Sequence, residues 1–190
     1  PRAAHAPYVD AKVLADTAGR VSNWQRWGPD DELGTLNFVS ADDVRSAAAL
    51  VRRGRCFSLA LPFDQNGPQN AGGWGTRFNP IHTMLATGTD TVNGRQQGFI
   101  AGAGYADDMV SMPLQCGTQW DGLGHVFYEN NMWNGYDCRE VTSAGAQKCG
   151  IEKTKNKMVG RGVFLDVPRA LGMDILPDGF AIKTEHLDKT

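Results

Sequence analysis

The sequence predicts a domain of the α/β class, and three observations carry that expectation. Ser40 to Gly54, SADDVRSAAALVRRG, reads as a helix between a hydroxyl cap and a glycine stop. CFSLAL (56–61) and GRGVFLDV (160–167) read as strands, the first by alternation between Gly and Pro signals and the second as a buried run. The 190 residues are 41% hydrophobic and 21% charged with no long apolar run, which is enough for a core and predicts no membrane span.

Taken in order, residues 1–22 read as an N-terminal arm holding a short amphipathic helix around Val13, Leu14 and Ala18. Trp24 and Trp27 then flank a turn near Gly28-Pro29, before the helix that Ser40 caps by accepting from the amide of Asp43. After the 56–61 strand, Pro62 to Asn79 turns to Asn, Gln, Gly and Pro, the composition of a long functional loop. Ile81–Leu85 and the region from Gly98 to Ile100 suggest strands, and AGAGYADD (101–108) a glycine-rich turn. Its GxG lacks the strand-then-helix setting of a nucleotide fingerprint. Phe127 to Tyr136 is aromatic and punctuated by glycine, and Thr184–Leu187 opens a capped helix that the chain does not finish.

Charge narrows the function. A net charge of -2 and a pI near 6.1 give no footprint for nucleic acid, and Arg52, Arg53 and Arg55 form a cluster that suits a solvated helix end. The four cysteines, Cys56, Cys116, Cys138 and Cys149, lack CxxC spacing, so reduced thiols in a cytoplasmic protein are expected. The first residues lack the apolar core of a signal peptide.

The stretch Gln115–His125, QCGTQWDGLGH, is where chemistry concentrates. Asp121 and His125 would share a helix face, but Gly117, Gly122 and Gly124 argue against a regular helix. A glycine-rich turn instead lets backbones approach closely and side chains converge, as a metal ion or a proton-transfer centre requires.

GTQWDGLGH resembles the signature HxGTHxDxPxH of the cyclase family of metal-dependent hydrolases, the kynurenine formamidase and isatin hydrolase kind, in a long-chain form whose motif carries Gln. NWQRWGPDDELGTLNFVSADDVRSAAALVRRGRCFSLALP (23–62) and GRGVFLDVPRALGMDILPDGFAI (160–182) extend the resemblance to nearly the whole chain. It implies a swivelling β/β/α domain over 23–190, incomplete in this chain because the family's second half would follow. It also implies a divalent metal, manganese or zinc ahead of magnesium or calcium, and hydrolysis of an amide, lactone or related carbonyl compound. Gln115 and Gln119 fall on the metal-binding histidines, Asp121 on the metal-bridging aspartate and His125 on the catalytic histidine. An amide oxygen is neutral and a weaker zinc ligand than imidazole, so a second reading is a silent small-molecule binder or scaffold that has lost its metal.

The partners implied are a small-molecule substrate and a second copy or second chain completing the fold, with no nucleic acid and no membrane. Trp24, Trp27, Trp120 and Tyr128 are the candidate substrate-binding residues, with burial in a core the competing role for Trp24, Trp27 and Tyr128. Asn134 and Tyr136 follow closely and could line the same cavity. His82 is expected to be a satisfied structural histidine. Cys116 has no histidine placed to activate it as a nucleophile.

Overall fold

The computed structural model describes residues 10–69, 77–98 and 100–190. Residues 1–9 of the expected arm, 70–76 of the expected loop and Phe99 of an expected strand lie outside them. In chain order the elements are α1 (Ala11–Val21), α2 (Ala41–Ala48), β1 (Ile81–Ala86), α3 (Gly88–Val92), β2 (Asp107–Ser111), β3 (Val141–Thr142), β4 (Gly145–Ala146), α4 (Val167–Ala170) and α5 (Thr184–Leu187), with single 3-10 turns between them. Two compact units result, residues 53–122 forming one and residues 1–52 with 123–190 the other.

Local chemistry explains the helix starts. Asp10 accepts from the amides of Lys12 and Val13 to open α1, and Ser40 and Asp43 form a reciprocal capping box at α2. Thr87 and Asp90 repeat that box at α3, and Lys183 donates its amide to His186 Nδ1 at α5, 3.0 Å away. Because the Ser40 and Thr87 hydroxyls donate to them, the carboxyls of Asp43 and Asp90 are held below the usual range.

The α2 helix ends six residues before Gly54, at Ala48. Leu50 and Val51, which would continue its apolar stripe, are exposed, and α2 buries no residue. A short helix without a packed face is carried by its cap and does not propagate far.

The sharper corrections concern strands. β1 forms as expected and pairs antiparallel with β2, Ile81 opposite Ser111 and Thr83 opposite Met109, with an irregularity between Met84 and Ala86. That partner takes in Asp107 and Asp108 from the expected glycine turn. By contrast, residues 56–61 and 160–166 form no strand and join no ladder among the described residues, and Val167 starts α4. Ile100 makes one isolated bridge to Ala103 instead of a strand. Apolar alternation supplies a face for burial, but a strand also needs a neighbour for its amides and carbonyls.

Among the described residues the buried apolar side chains are Cys116, Met132, Cys149 and Val167. Much of the packing in the 1–52/123–190 unit is therefore polar. The Asn134 amide donates to the carbonyls of Gly28 and Pro29 at 3.0 and 3.1 Å, while its oxygen accepts from the Gln25 amide at 2.6 Å. Asp31 accepts from Gly34 N at 2.8 Å, Asn37 Nδ2 at 2.5 Å and the Trp133 indole at 3.0 Å. Burial alone would raise the Asp31 carboxyl, but hydrogen bonds from Asn37, Gly34, Trp133 and Leu33 outweigh it and hold the pKa low. Glu32 takes the Cys149 amide at 2.7 Å, with Lys148 and Lys153 within 3.8 Å.

Candidate functional site

The motif divides between the two units: Gln115, Gln119 and Asp121 belong to the 53–122 unit and His125 to the other. No α-helix runs through it, as the glycines predict; a single 3-10 turn spans Leu123–His125.

In the 53–122 unit the start of the motif is tied by polar contacts. Gln69 donates its side-chain amide to the carbonyls of Gln115 and Cys116, at 3.4 and 3.3 Å, and Thr118 Oγ1 donates to the Leu59 carbonyl at 2.7 Å. Cys116 is buried, which removes it as an accessible nucleophile. Gln115 is half-buried, while Gln119, Trp120 and Asp121 are exposed. Asp121 Oδ1 accepts from the Gly122 amide at 3.0 Å, a turn that orients its carboxylate. His82 Nε2 lies 2.7 Å from Asp108 Oδ2 across β1 and β2, so it has a partner, although it is exposed.

In the other unit, Gly124 shows why the motif needs glycine. Its amide donates to the Cys149 carbonyl at 3.1 Å, and a Cβ there would lie 3.2 Å from the Lys148 carbonyl and 3.3 Å from that of Cys149. This close approach fixes the turn that ends on the exposed His125. Cys149 lies beneath it, its thiol pushed up to about 11 by burial and then by the charge of Glu32.

Directly after His125 an apolar cavity of about 730 Å³ opens, lined by Leu14 and Val21 of α1 and by Trp24, Val126, Tyr128 and Trp133. Tyr128 is presented by a two-residue hairpin turn: it exchanges backbone hydrogen bonds with Asn131 at 2.8 and 2.9 Å, and Glu129 and Asn130 between them have φ of 49° and 64°.

Of the expected substrate-binding residues, the structure brings Trp24 and Tyr128 together in this cavity. Trp27 instead packs edge-on against Phe38 at 5.1 Å and beside Trp133 at 6.4 Å, and Trp120 belongs to the 53–122 unit. Asn134 is committed to the loop carbonyls, and the Tyr136 hydroxyl is buried without a hydrogen-bond partner among the described residues. Sequence reasoning missed Trp133, whose indole is held by Asp31; its place in the aromatic run 127–136 was the available signal.

Among the described residues, no group of three or more His, Cys, Asp and Glu side chains is placed to hold a metal ion. No helix there is long and apolar enough to cross a membrane.

No family description matches the chain, and neither does any curated protein. A solved structure described as the crystal structure of a novel cyclase does match, with a TM-score of 0.80 and 39% identity. The match covers 88% of this chain and 55% of that one, so this chain spans about half of that cyclase's length. Identity at this level within a shared mixed helix-and-strand fold supports the cyclase family for this chain.

Proposed function

We propose that this chain carries the water-activating segment of a cyclase-family hydrolase acting on an amide, lactone or related carbonyl compound. The observation that carries this reading is the sequence QCGTQWDGLGH within a chain 39% identical to a cyclase. The donor set Gln115, Gln119 and Asp121 consists of oxygen atoms with a single negative charge. That chemistry fits an oxygen-preferring divalent cation, manganese first and then magnesium or calcium, better than zinc. A bound cation would polarise the substrate carbonyl and make water more acidic.

The chain's own residues do the remaining work. The His125 imidazole takes a proton from water as the water oxygen adds to the carbonyl carbon, and returns it to the departing nitrogen or oxygen as the C–N or C–O bond breaks. The Asp121 carboxylate supplies the negative charge of the donor set. Trp24, Tyr128 and Trp133 offer aromatic faces to the apolar part of the substrate and keep water from it, in the cavity that begins at Val126. The partners of this reading are a small molecule and a second copy or second chain completing the fold.

Hydrolysis of a panel of formamides, lactones and esters with manganese present tests it. His125→Ala and Asp121→Ala are each expected to lose about 100-fold or more in kcat/KM; turnover near that of the unaltered chain in either variant would overturn the assignment.

A further inference from the structure

The cavity that follows His125 has one charged side chain in an otherwise neutral wall. Of the described residues that line it, Glu129 alone carries a charge at neutral pH, and none is Lys, Arg or His. Its carboxylate has no ion pair or hydrogen bond among the described residues. Arg20, which lies between two lining residues of α1, donates instead to Thr17 Oγ1 at 3.3 Å and lines a separate depression with Asp16. Turn chemistry does not account for a glutamate here. Glu129 and Asn130 have φ of 49° and 64°, a pair of left-handed positions that Asn, Asp and Gly fill readily and Glu does not. The Asn131 side-chain amide donates to the Glu129 carbonyl at 2.9 Å, which holds the turn and keeps the acid on the wall that Trp24, Tyr128 and Trp133 share.

We propose that this cavity selects a carbonyl compound whose apolar body ends in a protonated amine with no carboxylate beside it, and that Glu129 determines that specificity. The aromatic side chains take the apolar body and attract the ammonium group by their ring faces, while Glu129 supplies the counter-charge. A carboxylate on the same carbon would meet Glu129 as a like charge, with no cationic side chain among the described lining residues to receive it. The inference rests on the hydrolase reading in taking this cavity as the substrate site, and it adds the charge of the substrate. Its test reads binding rather than turnover. A chain that hydrolyses nothing therefore leaves the amine site standing, and a chain that binds without regard to charge overturns this inference alone.

Calorimetric titration of the unaltered chain with phenethylammonium, phenethyl alcohol and phenylalanine tests it, because the three share one apolar body and differ in charge. Phenethylammonium is expected to bind about tenfold more tightly than either of the others. That margin should shrink as salt is raised, since Glu129 is exposed. Glu129→Gln keeps the side chain's shape and the same backbone demand at the turn, and it should bring phenethylammonium and the alcohol to equal affinity. Trp24→Leu should weaken all three, which locates them in this cavity. The inference is overturned by equal affinities in the unaltered chain, by a preference that survives Glu129→Gln, by binding indifferent to Trp24→Leu, or by no binding of any of the three.

Discussion

Two stretches, 24–38 and 56–61, both carry large apolar side chains and differ in what their backbones meet. In the first, Asn134, Asp31 and Glu32 tie loop to loop, and Trp27 packs edge-on against Phe38 and beside Trp133. In the second, Phe57 and Leu59 are exposed and the backbone has no ladder among the described residues. Order in this chain thus follows buried and half-buried polar side chains that find backbone partners; apolar pattern becomes packed structure only where a neighbour exists.

The largest break in that comparison is Asn134→Ala. It strands the carbonyls of Gly28 and Pro29 and the Gln25 amide, and places alanine at φ 61°. A loss of about 2–4 kcal/mol in urea unfolding is expected, whereas Leu59→Ser should change stability by less than about 0.5 kcal/mol. Equal effects would mean that the polar tie is not what holds the 24–38 stretch.

Gly124→Ala comes next. The 3.2 and 3.3 Å approaches to two carbonyls force backbone to move, for a cost of about 1–3 kcal/mol by the same unfolding assay. A neutral result would show that the turn beneath His125 has slack.

The smallest effect is a pH dependence at Cys149. Its folded thiol lies at about 11 against 9.0 for the ordinary group. The unfolded chain therefore releases this proton first as pH rises. The stability from burying the neutral thiol is fully present below pH 9 and is lost as pH climbs through about 11. Cys149→Ala should flatten the decline in this window, and in the unaltered chain iodoacetamide should modify exposed Cys56 well before buried Cys149.

The Ser40 and Thr184 regions show what was legible: the Ser40 cap is local chemistry and formed as read, with a helix shorter than its apolar stripe suggested. Thr184–Leu187 is helical too, but His186 closes its cap through Nδ1, a role that a search for hydroxyl caps does not find. The 56–61 and 160–166 patterns read as strands and form none among the described residues, because apolar alternation does not show whether a neighbour is there to pair with. Gly124 was legible as a close approach, though not that it approaches Cys149, because contacts between segments distant in the chain leave no local trace. Trp24 and Tyr128 line one cavity, while Trp27 is drawn into packing with Phe38, a choice that composition does not distinguish.

We propose that QCGTQWDGLGH is a working cation and proton-transfer segment. Metal content after dialysis against manganese, measured by inductively coupled plasma mass spectrometry on the chain and on Asp121→Ala, tests it most directly. Close to one manganese per chain is expected, lost in the variant. Equal content in the two proteins, or none in either, would contradict it.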